Sequence, residues 1–293
     1  HRPIVCVQLP IAASDDTSGA SLDTFVADGV RYILDKADEI ARSRECGRLP
    51  VVINFSYGTI AGPHDGTSNI ERAIGNLIRV RRGTSAPLEV VVPAGNSRLK
   101  RCHAVVKFEG RRGEKGSTKT LSWRVLPDDR TTSHLELWLP PTPQGQPESR
   151  LRLNVEPPDG ERMKEPMEEH IRPFRVWGEK PEEGMCYVRY CYVPAPTNRG
   201  MFLVTVQPTV QLEQEDATGI FDPGHLDVAA SAGEWKIVLE NCSLERGDEV
   251  HAWIQRDDTR YGQLPFGRQS YFDDPEYVRF DDYGRVPEDD SET

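Results

Sequence analysis

Two short runs constrain this chain more than any other feature: Val51–Gly58 (VVINFSYG) and Val90–Ser97 (VVVPAGNS). Each is an apolar stretch that stops abruptly at small and polar residues. Buried parallel strands read this way because both of their faces are covered, whereas a half-solvated strand alternates. Parallel strands also need a long crossover, usually a helix. The intervening sequence supplies one, with Ile70, Ala73, Ile74, Leu77 and Ile78 on a single face. In open sheets of this kind ligands bind beyond the carboxyl ends of the strands. The two tails, Ser56-Tyr57-Gly58 and Ala94-Gly95-Asn96, are therefore expected together at a binding edge.

Upstream, Pro3–Leu9 reads as a further strand. It is followed by Leu22, Phe25, Val26, Gly29, Val30, Ile33, Leu34, Ala37, Ile40 and Ala41, the spacing of a long amphipathic helix. The β-α-β-α-β order predicts an α/β unit with a parallel sheet and flanking helices. Near residue 100 the character changes. All five Trp lie between 102 and 255, among frequent Pro/Gly turns and alternating segments. Strands are expected at 103–108, 119–126, 134–139, 150–155, 171–177, 186–193, 201–207, 234–240 and 248–255. Period-two patterning with turns this frequent predicts an antiparallel β-sandwich, jelly-roll-like in kind. Residues 156–170 read as an exposed loop. The expected division is 1–101 (α/β domain), 102–255 (inserted sandwich) and 256–293 (acidic segment returning to the first domain). That last segment reads as too polar for a core element, with aromatics such as Tyr261, Phe266, Tyr271 and Phe272 anchoring it.

Charge and composition exclude several classes. A net charge of −11 argues against a partner held by phosphate contacts, so no nucleic acid is expected. No apolar run approaches the roughly 20 residues that span a membrane, so no membrane partner is expected either. Six cysteines at 6, 46, 102, 186, 191 and 242 form no CxxC pair and read as buried thiols. The chain opens at His1 directly before a strand-like run, and its native N-terminus is expected to have been removed. Cytoplasmic and secreted locations are both compatible with that, and the oligomeric state is left open.

The two motifs in this β-α-β order resemble the substrate-binding half of the subtilisin-like serine proteases (subtilases), over about residues 1–100. The resemblance implies a partial subtilisin-like sheet, a polypeptide substrate and no cofactor. It makes Asn96 the oxyanion-hole donor, a side-chain amide at a strand end aimed where charge develops in acyl transfer. Pro93, Ala94 and Gly95 would line the primary specificity pocket, with Pro93 in place of the small residue usual there. Ser56, Tyr57 and Gly58 match the segment that pairs with the substrate backbone by strand addition. In that family the triad runs Asp, His, Ser, and none of its three motifs occurs here. By that mapping the chain is a central fragment carrying an inserted sandwich, and it is expected to be inactive alone. The alternative is a non-catalytic peptide- or glycan-binding scaffold built on a degenerate protease fold.

Other features have simpler explanations. Gly66-Thr67-Ser68 imitates the family's nucleophile motif, but Ser68-Asn69-Ile70-Glu71 is a capping box. His64 and Asp65 are neighbours in one turn and cannot readily adopt the base–orienter geometry of a triad. The remaining histidines match no metal spacing. Asp128-Asp129-Arg130 and Arg256-Asp257-Asp258 resemble each other, each following a Trp-containing strand, and read as turns with local ion pairs. A ligand-binding rim formed with Trp138 or Trp253 is the sharper reading. Asp273, Asp274, Asp281 and Asp282 are the candidates for structural calcium, without the spaced loop of a specific site.

Overall fold

The computed structural model describes residues 3–10, 22–84, 86–95, 97–142, 149–158, 160, 167–168, 174–176, 185–194, 197–210, 229–257 and 267–274. They fall into two compact units, His1–Asn96 and Ser97–Thr293.

The first unit contains helix α1 (Leu22–Ser43), strand β1 (Val51–Asn54), helix α2 (Asn69–Arg82) and strand β2 (Leu88–Val91). The strands pair in parallel, Val51 against Leu88 through Asn54 against Val91. Val26, Val30, Leu34 and Ala37 of α1 close over Val51, Ile53 and Leu88, and Ile70, Ile74, Leu77 and Ile78 of α2 pack on the same cluster. The periodic positions read from the sequence are thus the ones that meet. The capping box is present: the Glu71 amide donates to Ser68 Oγ at 3.3 Å, and Glu71 Oε2 accepts from the Ser68 amide at 3.1 Å.

The expected strand at Pro3–Leu9 does not form. Val5, Cys6, Val7 and Leu9 instead line a cleft of about 290 Å³ against α1, β1 and β2, and Ile4 is 87% exposed. Side chains make this contact without a backbone ladder. Apolar alternation reports which side chains seek cover, and it says nothing about backbone pairing.

Both helices cover one face of the two-stranded sheet. On the other face Val52 is 72% exposed and Val91 53% exposed. Parallel strands are normally covered on both faces, which leaves this surface prone to association.

Arg81 is a buried feature that the apolar pattern did not announce, at 4% exposure. Its guanidinium donates to Asp38 Oδ1 at 2.7 Å, to the Leu49 carbonyl at 3.3 Å and to the Leu34 carbonyl at 3.4 Å. One side chain thereby ties the end of α2 to α1 and to the approach to β1.

The second unit is a sandwich of antiparallel sheets. Its strands are β3 (His103–Lys107), β4 (Thr118–Val125), β5 (Ser133–Pro141), β6 (Leu151–Glu156), β7 (Met167–Glu168), β8 (Phe174–Val176), β9 (Cys186–Val193), β10 (Arg199–Val206), β11 (Gly233–Asn241), β12 (Glu249–Ile254) and β13 (Tyr271–Phe272). The six-stranded sheet runs β3-β12-β5-β10-β9-β8 and the five-stranded sheet β13-β4-β11-β6-β7. Each expected strand has a counterpart. Strand β6 buries Leu151, Leu153 and Val155 and β12 buries Val250, Ala252 and Ile254, in strict alternation. Trp123 and Trp235 lie opposite each other across β4 and β11, both 0% exposed.

Two expectations are corrected. Met167, placed in an exposed loop, is buried opposite Leu153, and Phe272, placed in a segment too polar for the core, is buried opposite Trp123. Each is a single apolar residue completing a sheet edge, too short a signal for periodicity. The thiols also divide: Cys102 and Cys186 are buried, whereas Cys6 and Cys46 are exposed, all as free thiols. Burial pushes the Cys186 thiol pKa up.

Arg81→Ala is expected to lower the stability of the first unit by about 2 kcal/mol, since it removes charge-assisted bonds made away from water. Arg79→Ala, at an exposed position, should change it by no more than about 0.5 kcal/mol. Hydrogen exchange of the α1 amides would separate the two variants. The isolated chain should also self-associate through the Val52–Val91 face. A monodisperse monomer by light scattering that binds no apolar dye would contradict this.

Candidate functional site

The two strand exits expected to form a binding edge lie where β1 and β2 end. Phe55 makes the last ladder bond, its amide donating to the Val91 carbonyl at 2.9 Å. Beyond it the two tails leave from the same end of the sheet, as parallel pairing requires. Asn54 Nδ2 donates to Ser56 Oγ at 3.0 Å, which orients the start of the first tail. Ser56 and Gly58 are exposed, while Tyr57 is partly buried with its side chain against the helical core. Tyr57 thus anchors the tail, and the residues on either side of it face solvent. That is the alternation by which an extended segment keeps its backbone accessible.

The second tail, Pro93-Ala94-Gly95, is exposed and outside the ladder. Gly95 adopts φ +88°, a conformation that side chains disfavour, so glycine is required there by the backbone itself. Among the described residues, chain neighbours aside, no atom lies within 4 Å of where a Cβ on Gly58 would stand, and Gly58 does not have positive φ. The two glycines therefore serve differently: Gly95 turns the chain, whereas Gly58 leaves open space above an exposed edge. Asn96 lies outside the described residues.

The look-alike residues behave as their local chemistry predicts. His64, at φ 50°, has Nε2 2.6 Å from the Ile60 carbonyl. Asp65 accepts from the Thr67 amide at 3.0 Å and from the Thr67 hydroxyl. These partners lie in the same loop as the two residues. Ser68 serves the helix. The Asn54–Ser56 bond was missed from sequence; an amide two residues before a serine at a strand exit was its only signal.

In the sandwich the Trp138 indole is buried and donates to Glu136 Oε2 at 2.8 Å, so it is a packed residue and not a rim. Trp253 stacks on His103 with ring centroids 3.7 Å apart. Asp129 and Asp257, from the two similar turns, are brought together. Among the described residues no group of three or more His, Cys, Asp or Glu side chains could hold a metal ion. Asp281 and Asp282 of the calcium candidates lie outside those residues.

Gly95→Ala should cost about 1 kcal/mol through its positive φ, whereas Gly58→Ala should leave stability nearly unchanged. Paired urea titrations test this. An equal cost at both positions would mean that Gly58 is also held by the fold.

No protein-family model matches the chain, and no curated protein matches it. Among solved structures it is similar to the CspB protease of Clostridium perfringens, with a TM-score of 0.56 and 18% identity. The match covers 80% of this chain and 40% of that one, so the chain spans less than half the length of the protease. At this identity the likeness is one of fold. The chain has a mixed architecture, an α/β unit followed by antiparallel sheets, and its fold is similar to part of that protease.

Proposed function

We propose that this chain is the substrate-binding portion of a subtilisin-like serine endopeptidase, with the β-sandwich inserted after the second strand. One observation carries the reading. Parallel strands β1 and β2 deliver Ser56–Gly58 and Pro93–Gly95 to one end of a sheet whose fold resembles part of a protease. In this proposal an extended polypeptide pairs along Ser56–Gly58, and its side chain enters a pocket bordered by Pro93, Ala94 and Gly95. Asn96 donates its side-chain amide to the oxyanion of the tetrahedral intermediate. A serine activated by a histidine, itself oriented by an aspartate, comes from protein outside residues 1–293. The chain alone lacks that nucleophile and is expected not to hydrolyse peptides.

The test is fluorophosphonate labelling of the intact protein followed by peptide mapping. A labelled serine outside residues 1–293 is expected. Asn96→Ala should slow turnover by about 10²–10³, the scale on which such a donor acts in subtilisin itself. Gly58→Ala should weaken substrate binding without changing stability. Proteolysis by the purified chain that survives Asn96→Ala would overturn the reading. A folded intact protein that takes no label would instead be a binding scaffold.

A further inference from the structure

A cluster at one end of the sandwich has a chemistry that neither the fold nor the protease reading requires. The turn between β4 and β5 and the residues following β12 each bring in an aspartate, and Thr131 stands between them. Thr131 Oγ1 is 2.8 Å from Asp129 Oδ1 and 2.5 Å from Asp257 Oδ1. A threonine hydroxyl has one hydrogen to donate, and an ionised carboxylate has none. Two short oxygen–oxygen contacts through a single hydroxyl therefore need a second proton, and it must sit on a carboxyl group.

The surroundings say which one. Asp129 is 1% exposed and is well supplied with donors: the Thr131 amide at 3.0 Å, the Arg268 amide at 3.2 Å and Ser133 Oγ at 3.3 Å. That environment supports a charge. Asp257 has less support: Thr131 and Ser133 favour its charge, but no backbone amide does among the described residues, and its Oδ2 is buried there with no hydrogen bond. Asp129 therefore carries the charge and Asp257 carries the proton, which it donates to Thr131.

The same residues hold the chain segment that returns to the sandwich before β13. The Asp257 amide donates to Gln269 Oε1 at 3.1 Å, and Gln269 Nε2 donates to the Gln255 carbonyl at 3.1 Å. A Cβ on Gly267 would lie 2.2 Å from the Asp257 carbonyl oxygen, so the segment is pressed directly against the cluster. We propose that Asp129, Thr131 and Asp257 form a proton-held clamp that fastens segment 267–274 to the sandwich and loosens it when the shared proton is lost.

Burial, and then the charge of Asp129, push the Asp257 carboxyl up to about 8. Burial also raises Asp129, against the pull of its donors. Facing Asp257 are Asp129, Thr131 and Ser133 from the β4–β5 turn, with Gly267, the Arg268 backbone and Gln269 from the returning segment. The adjacent charged residues are Asp128, Arg130, Arg256 and Arg268 in the chain. On β5, Glu136 takes the Gln255 amide at 2.7 Å, and burial lowers the pKa of His134. A carboxyl whose folded pKa lies above its unfolded one stabilises the fold at low pH, and that stabilisation is lost as pH rises to the folded value. Once Asp257 ionises, the pair has one proton too few and two like charges in contact. The far end of the segment keeps its own anchors, the Phe272 amide on the Arg101 carbonyl and Arg124 on Asp273. Loosening should therefore be local.

Asp257→Asn supplies a neutral group that can still donate to Thr131. The melting temperature of the full chain should match this variant only below about pH 4, where the carboxyl is protonated in the folded and unfolded chain alike. It should fall increasingly below the variant's from about pH 4 to about pH 8, the span between the unfolded and folded values, and the difference should level off above that. Backbone exchange across 267–272, corrected for intrinsic rates, should accelerate over the same range in the wild type alone. In parallel, an aspartate-selective carboxyl ¹³C titration of the wild type should show one resonance with a mildly alkaline midpoint. A melting difference independent of pH, or aspartates that all titrate in the ordinary acidic range, would overturn the clamp. Should Asp257→Asn fail to fold, the wild-type titration decides alone.

Discussion

Parallel strands cannot be joined by a tight turn. The chain must travel back along the sheet before it can pair in register, and the return path must cover a face. In the first unit this constraint sets everything else. The residues between β1 and β2 become a helix because they must cross. Ile70, Ile74, Leu77 and Ile78 lie on one side of it because that side meets Val51, Ile53 and Leu88. The strand ends then point the same way, so Ser56–Gly58 and Pro93–Gly95 emerge together without any direct bond between the tails having to place them.

The antiparallel sandwich is governed by a different demand. Strands such as β6 and β12 bury one face, the central β5 buries both along 135–139, and the loops must satisfy their polar groups at the ends of a dry core. The buried polar side chains answer that demand. Asn241 donates to the Gly110 and Leu244 carbonyls at 3.0 and 3.2 Å and accepts from the Leu244 amide at 2.7 Å. Arg199 Nε reaches the Leu139 carbonyl at 2.6 Å, and Arg150 bonds the carbonyls of Pro140 and Pro141. Each of these three side chains bonds backbone groups. The Asp129–Thr131–Asp257 cluster belongs to the same class, with the difference that its hydrogen bonds close only when a proton is added.

The strand exits at the candidate site were legible in the sequence because they rest on local properties. An apolar run ending in Ser-Tyr-Gly marks a strand exit, and Gly-Asn after a strand marks a turn, whose glycine indeed adopts positive φ. The capping role of Ser68 was readable for the same reason, since all its partners lie within one turn of helix. The anchoring of Tyr57 was not, because the core that receives its ring is built by residues of two helices. Arg81 illustrates the limit more sharply. In the sequence it is one of several basic residues closing a helix, and its burial depends on Asp38, which lies 43 positions away.

By itself, the sequence determined the periodic features: the long helix, the crossover order, the alternating strands and the residues that face each core. These follow from side-chain spacing, which the covalent chain carries directly. Only the tertiary structure decided whether Pro3–Leu9 would join the sheet, which lone apolar residues would complete sheet edges, and which polar groups would meet. Edge pairing depends on where a neighbouring backbone stops. The meeting of Asp129 with Asp257 depends on two strands that are distant in the chain ending at the same end of the sandwich. Two similar turns could be recognised in the sequence, but only folding could bring their carboxyls to a single hydroxyl.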